Sequence, residues 1–466
     1  MESGKSKDTR QACTRCRTQK RKCDKGLPKC GLCMCLKRAC TYDTSLSPPE
    51  ESPDSSEPSR GLNSETPASF LSSEEGIKAA IMRRFSETTP EEVATGYYRS
   101  IQTWFPIISF LELCARLPGT WEQASTDMCL LFMSMSLLRQ VPETQIMDGN
   151  CRLPKALESS YLSLKSWIAI LEGRGMNSLD FLHAKALLVL FEVVHGIFPA
   201  AYITIGALFR AADALHIYNS GQTNDYSETW RGILILDRCI AIDKKHYPSI
   251  SSYRTFTILQ TNPSPPESPS PTPFAFSRLF EASDILSAIH KAEKPDGSFI
   301  LSDIPHPATL DSFKKTLEEE VPHELKVYSG SWAIFNTALL LLHEKDRPGD
   351  VRDSDVLIPR ILSRAYREEM LSDIANAVRP FVEEDSVLNF ELFLPPFVTY
   401  LTYKCATILT ARLQIGNMTL PSIKMLKLMR SFLKLVSGRW LIAAYFLRMI
   451  DEDTTPRMAK ALSETK

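Results

Sequence analysis

From about residue 77 onward the apolar residues recur at helical rather than strand spacing. In "EEVATGYYRSIQTWFPIISFLELCARL", Val93, Tyr97, Ile101 and Trp104 fall on one helical face before Pro106 breaks the run. "SSYLSLKSWIAILEG", "FLHAKALLVLFEVVHGIF" and "AYITIGALFRAADALHIY" each carry a 3.6-residue apolar period over 12 or more positions. The same period returns in "SWAIFNTALLLLHEK", "REEMLSDIANAVRPF", "LPPFVTYLTYKCATILTARLQ" and "IKMLKLMRSFLKLVSGRWLIAAYFL". Strand-like alternation is scarce. The pattern predicts a mostly α protein with a large all-α body over 77–466. The long apolar run from Ala186 to Phe209 is interrupted by Glu192, His195 and Pro199. It predicts two buried helices separated by a break, and no membrane partner.

Two segments lack any such period. Residues 45–76 hold 10 Ser, 5 Pro, 7 acidic residues and 1 basic residue. Such a composition cannot bury enough apolar surface to order itself, which predicts a flexible acidic linker. Pro48, Pro49, Pro53 and Pro58 exclude a coiled coil there, so a homodimer contact would fall to the helical body. Residues 262–273, "NPSPPESPSPTP", carry 6 Pro in 12 positions and read as an insertion in the body. Ser264, Ser268, Ser270 and Thr272 each precede proline there, but a solvated spacer explains the stretch more simply than a phosphorylation array. "FVEEDSVLNFELFLPPF", residues 381–397, has the composition of an activation segment and reads first as an amphipathic core helix.

The remaining segment, 1–44, is dominated by other chemistry. The chain of 466 residues has a formal net charge of −1, yet residues 1–44 hold 12 Lys and Arg against 4 Asp and Glu. A basic arm on a near-neutral body points to a nucleic-acid contact confined to one end. Seven of the chain's 12 cysteines lie in "ACTRCRTQKRKCDKGLPKCGLCMCLKRAC". Cys13, Cys16 and Cys23 repeat as Cys30, Cys33 and Cys40, each 17 residues later. A fixed offset marks a structural unit used twice. Tetrahedral zinc takes four thiolates. Six thiolates fill two such sites only if two of them bridge, and the repeat suggests one bridge per half. A disulfide framework suits secreted chains, and the polar start "MESGKSKDTRQ" carries no secretory signal, so two zinc ions are favoured. A helix starting after Cys16 would carry Arg17, Lys20 and Arg21 on one face, shaped for a DNA major groove. Charge alone leaves an RNA-binding or protein-binding surface open.

Ala12, Cys13, Cys16, Arg17, Lys20, Lys22, Cys23, Asp24, Pro28, Cys30, Cys33 and Cys40 together resemble the motif of the fungal binuclear zinc-cluster transcription factors. The resemblance is tight over 10–42. Three further stretches resemble the middle homology region of that family, loosely over 90–245. They are "YYRSIQTWFPII", "ITIGALFRAADALHI" and "WRGILILDRCIAI", the last holding Leu236, Asp237 and Arg238. The short glycine- or proline-marked segment that usually follows in the family is missing from "CIAIDKKHYPSISSY". The resemblance implies a zinc-cluster module at 1–44 with two short helices, ligated by Cys13, Cys16, Cys23, Cys30, Cys33 and Cys40. It implies that Cys13 and Cys30 bridge the metals and that Pro28 shapes the loop between the halves. Lys20 would meet base edges of CGG-type triplets in double-stranded DNA, while Arg17, Arg21 and Lys22 hold phosphates. The implied protein works in the nucleus with the transcription machinery, on a metabolic or biosynthetic gene set. Cys35 lies outside the pattern and reads as a spare thiol.

Other chemistry finds little support. "SGKS" at 3–6 lacks the upstream glycine and strand of a phosphate-binding loop. No HExxH, GxSxG or GxGxxG occurs, and the eight histidines read as core or surface residues, so no enzyme is expected. Asn417-Met418-Thr419 matches a glycosylation acceptor but reads as silent. Cys114, Cys129, Cys151, Cys239 and Cys405 read as buried free thiols. The competing expectation is a zinc-armed ligand-sensing or protein-interaction module that does not read DNA sequence.

Overall fold

A computed structural model describes residues 12–25, 29–35, 38–42, 73–142, 152–217, 224–242, 276–293, 300–343, 363–383, 394–416 and 419–464. The chain divides into two compact units, Met1–Ser64 and Glu65–Lys466. Among the described residues there is no β-strand. The Pro-rich insertion at 262–273, Pro28, Cys151, Asn417 and most of 381–397 lie outside them.

Among the described residues the first unit holds two five-residue helices, α1 (Thr14–Thr18) and α2 (Gly31–Cys35). Its buried apolar residues are Cys13, Cys16, Cys30 and Cys33, with Cys23, Leu32, Cys40 and Tyr42 packed around them. So small a core cannot offset the entropy of ordering the chain, and the sulfurs must be held by something stronger.

Among the described residues the second unit is built from helices. It opens with α3 (Glu74–Arg84), α4 (Pro90–Tyr98), α5 (Phe110–Ala115), α6 (Thr126–Arg139), α7 (Lys155–Gly173), α8 (Leu179–Val194), α9 (Phe198–Ala214) and α10 (Asn224–Ile240). It continues through α11 (Phe276–Ala292), α12 (Pro307–Glu320), α13 (Gly330–His343), α14 (Arg364–Val378), α15 (Pro380–Glu383), α16 (Phe397–Gln414), α17 (Leu420–Val436), α18 (Leu441–Glu452) and α19 (Pro456–Glu464). The starts follow local chemistry. The Ser73 hydroxyl accepts the Gly76 N–H, so the first helix begins inside the Ser-rich stretch. Thr89 and Glu92 form a reciprocal capping box on α4, with Pro90 at its first position. The period expected to run unbroken from Val93 to Trp104 is split. Helix α4 stops at Tyr98, where the Ser100 hydroxyl bonds back to the Gly96 carbonyl at 2.8 Å, and a 3-10 turn spans Ile101–Thr103.

The apolar run from Ala186 to Phe209 is two buried helices, α8 and α9, separated at Gly196, whose φ is +71°. Among the described residues no helix is long and apolar enough to cross a membrane. Helices α6 and α8 form one closely packed pair, and α11 and α13 another. A single apolar core extends from Ile77 to Met458. Trp104 meets Phe397 and Trp440 edge-on at 5.9 and 6.4 Å, tying the start of the body to its end. Buried Arg439 reinforces that tie. It stacks 3.8 Å over the Trp440 ring and donates to the carbonyls of Leu138 (2.7 Å) and Gln140 (3.2 Å) at the end of α6. Arg238, in the Leu-Asp-Arg stretch, is buried and donates to Ser283 at 2.7 Å and to Asp284, joining α10 to α11. Cys129, Cys239 and Cys405 are buried free thiols, as expected, but Cys114 is exposed.

Candidate metal centre and nucleic-acid interface

The 17-residue repeat in the sequence is also a repeat of hydrogen bonds. The Cys16 N–H donates to Cys13 Sγ at 3.5 Å, and the Cys33 N–H to Cys30 Sγ at 3.4 Å. The Arg17 N–H reaches the Cys13 carbonyl at 3.0 Å, and the Met34 N–H the Cys30 carbonyl at 2.9 Å. Each short helix closes with the same turn, Arg21 N–H to Cys16 carbonyl at 2.9 Å and Arg38 N–H to Cys33 carbonyl at 3.0 Å. Two copies of one backbone therefore point their sulfurs at each other.

Those sulfurs meet at metal-ligand distances. Cys13 Sγ lies 3.7 Å from Cys30 Sγ and 3.8 Å from Cys33 Sγ, and Cys16 Sγ lies 3.8 Å from Cys30 Sγ. Four thiolates about 2.3 Å from a zinc ion, at tetrahedral angles, stand roughly 3.8 Å apart. The sulfurs form two overlapping groups of four, Cys13–Cys16–Cys23–Cys30 and Cys13–Cys30–Cys33–Cys40, each within 4.8 Å. Cys13 and Cys30 belong to both groups. Cys35 is exposed and belongs to neither.

Backbone donors bias the thiols toward ligation. The Cys16 N–H is the main cause holding the Cys13 thiol down to about 6, and the Cys13 N–H lowers Cys23. Desolvation pushes Cys16 up to about 12 and raises Cys33 as well. At Cys30 the Cys33 N–H pulls downward, but desolvation and the crowding thiols win and the net direction is upward. So dense a sulfur cluster cannot ionise fully without a cation among its members, and a soft divalent ion suits it.

The basic residues are placed differently from the sequence expectation. Helix α1 starts before Cys16 and ends at Thr18, so it cannot carry Arg17, Lys20 and Arg21 on one face. Gln19 caps it, and Lys20 follows in the left-handed region at φ +49°. The Lys20 N–H bonds the Arg17 carbonyl at 3.2 Å and the Arg21 N–H the Cys16 carbonyl, a Schellman ending with lysine where glycine is usual. Arg17, Lys20, Arg21 and Lys22 are all exposed. Arg17 sits in the last turn of α1, and Lys20, Arg21 and Lys22 form a cationic turn just past its end, between two ligand-spaced cysteines.

Asp24, part of the sequence motif, has a structural role. Its carboxylate accepts the Gly31 N–H with both oxygens, at 2.9 and 2.8 Å, joining the first half to α2. A Cβ at Gly31 would stand 2.5 Å from Asp24 Oδ2, which is why glycine follows Cys30. In the other half a backbone group takes the matching part, with the Thr41 carbonyl accepting the Thr14 N–H at 2.9 Å.

Comparison with known proteins agrees with this geometry. Residues 11–49 match the fungal Zn(2)-Cys(6) binuclear cluster domain. The chain is 35% identical over 129 residues to "Transcription factor BOA15" of Botryotinia fuckeliana (strain B05.10), covering 28% of this chain and 68% of that protein. No solved structure matches the chain. The cysteine cluster binds zinc, and the protein is a DNA-binding transcription factor rather than an enzyme. From its repeated thiolate cradle to its extended relative, the chain belongs to the fungal Zn(2)-Cys(6) zinc-cluster family of transcription factors.

Proposed function

We propose that the chain is a nuclear regulator that reads CGG-type triplets in the DNA major groove through a module holding two zinc ions. Cys13, Cys16, Cys23, Cys30, Cys33 and Cys40 are its ligands, with Cys13 and Cys30 shared between the metals. The observation that carries this reading is the membership of Cys13 and Cys30 in both four-sulfur groups. When bound, zinc supplies the cross-links that fix the two halves.

The protein's own residues then do the reading. The Schellman turn after α1 projects Lys20 beyond the helix end, toward base edges, where its ammonium donates to guanine acceptors. Arg17, Arg21 and Lys22 flank it and hold phosphates, which set register without reading sequence. The module occupies 1–44 and the acidic segment 45–76 links it to the helical body. The body provides self-association and recruits the transcription machinery at a metabolic or biosynthetic gene set.

Competition binding with zinc analysis tests the reading. Elemental analysis of the purified protein should give two zinc ions per chain. A CGG-containing duplex should stay bound in excess random DNA. Lys20→Ala should weaken that complex by about 1–3 kcal/mol and barely change non-specific affinity. Equal competition by random duplex would remove the proposed mechanism.

A further inference from the structure

A groove of about 580 Å³ lies on the body between α4 and the end of α6. That volume is in the range of small-molecule sites. Its charged lining is sorted along α4. Glu91 and Glu92 sit in the first turn of that helix, and Arg99 caps its other end. Eight residues of helix separate Glu91 from Arg99, a rise of roughly 12 Å. The Glu92 carboxylate is already engaged, accepting the Thr89 N–H at 2.8 Å.

Arg139 crosses to this helix from the end of α6. A Cβ built on Gly96 would stand 2.1 Å from the Arg139 guanidinium carbon, so the guanidinium lies directly against the α4 backbone. Only glycine admits it there. One helical turn separates Gly96 from Arg99, so both arginines line the groove within one turn of α4. Among the described residues neither side chain forms an ion pair. Behind them, buried Arg439 donates to the carbonyls of Leu138 and Gln140 and has an unpartnered Nε. The Arg139 charge opposes that of Arg439. Three cations thus converge on the end of α6, and among the described residues no carboxylate lies within ion-pair distance of any of them.

We propose that the groove is a small-molecule site for an oxyanion, a carboxylate or phosphate carried by a metabolite, held by Arg139 and Arg99. Planar guanidiniums suit such groups because they donate two parallel hydrogen bonds. The site is coupled to the core. Gln140, between the groove residues Arg139 and Val141, is gripped by Arg439, which stacks on Trp440 in the C-terminal half. An occupant that draws on Arg139 acts on the turn that joins the two ends of the body.

Isothermal titration of the full-length protein with citrate and, separately, inorganic pyrophosphate tests this, at constant ionic strength set with chloride. The expected result is saturable one-to-one binding of at least one probe, with a dissociation constant of roughly 1 mM or tighter. The arm that binds more tightly assigns carboxylate or phosphate chemistry. Arg139→Gln should weaken binding at least about tenfold. Gly96→Ala, which removes the seat of Arg139, should do the same, while Lys424→Gln on the exposed side of α17 changes nothing. Absence of saturable binding by both probes, or equal affinity of the Arg139→Gln and Lys424→Gln variants, overturns the proposal.

Discussion

The N-terminal unit buries four cysteines at its centre, whereas the helical body buries a continuous apolar core from Ile77 to Met458. The two therefore depend on different forces. In the body, shape is held by many apolar contacts, with a few buried charges such as Glu192 of α8, which pairs with half-buried Lys165 of α7. In the module, backbone hydrogen bonds orient the sulfurs, but only metal–sulfur bonds are strong enough to keep them together. The contrast suits the division of labour, because a few residues pinned by metal can present a rigid cationic turn at little cost in chain length.

The largest expected effect separates the units outright. Removing zinc with a strong chelator should unfold the module, since structural zinc contributes about 10–16 kcal/mol at neutral pH in comparable small domains. The body should keep its helical circular dichroism and its thermal transition. Amide exchange measured segment by segment would check this, with protection lost around residues 12–42 and retained in α6 and α8. A chelator that also lowered the melting temperature of the body would break the comparison.

Acid should reverse the order of attention, because the body has its own pH weakness. His183 and His195 are buried, and desolvation lowers both to about 3 from an ordinary 6.5. Arg116 adds to the shift at His183, whose Nε2 pairs with the Thr229 hydroxyl at 2.7 Å, and Arg439 adds to it at His195. A depressed base binds fewer protons folded than unfolded. Its contribution is complete above 6.5 and is lost as pH falls from there toward 3. The slope is about 1.4 kcal/mol per pH unit for each histidine. Burial raises the carboxyls of Asp180 and Asp284, which act in the opposite direction. Urea unfolding of the body at pH 7 and pH 5 should show the loss, and His195→Leu should remove about half of the slope. An unchanged slope in that variant would mean that His195 is not charged on unfolding in this range.

How much of this was legible in the sequence depended on whether the relevant force acts locally. Metal ligation needs fixed short spacings, so the grouping of Cys13, Cys16 and Cys23 with their 17-residue echoes could be read directly. Apolar periodicity gave the helices of the body for the same reason, and the interruptions at His195 and Pro199 gave the break between α8 and α9. Helix ends were less visible. Nothing in the basic run says that Lys20 turns left-handed after only five helical residues, because the closing hydrogen bonds are set by the cluster on either side. Pairings between distant segments were not visible at all. Arg439 reaches the Leu138 carbonyl across 301 positions, and Arg238 reaches Asp284 from the next helix in the chain. The groove residues Arg99 and Arg139 are likewise brought together only by the packing of α4 on α6.

The smallest expected effect sharpens the comparison from inside the module. If metal–sulfur bonds dominate there, the carboxylate lock between the halves should be a modest addition. Asp24 receives the Gly31 N–H through both carboxylate oxygens, and its counterpart in the repeat is only a backbone carbonyl. Asp24→Ala should lower the apparent zinc affinity roughly three- to thirtyfold, the scale of a lost side-chain cap, without changing the zinc count. Gly31→Ala attacks the same bond from the other side. Its methyl would meet Asp24 Oδ2 at 2.5 Å, and the carboxylate, as a side-chain end, can swing away and give up the contact. Once the carboxylate has been removed, that methyl has nothing left to displace. The double variant should therefore be no worse than the poorer single one, a non-additive cycle measured by chelator competition. Additive losses would mean that Gly31→Ala acts on the backbone of α2 itself. Losses as large as zinc removal would mean that carboxylate and sulfur share the load, and the division between the two units would be less sharp than their cores suggest.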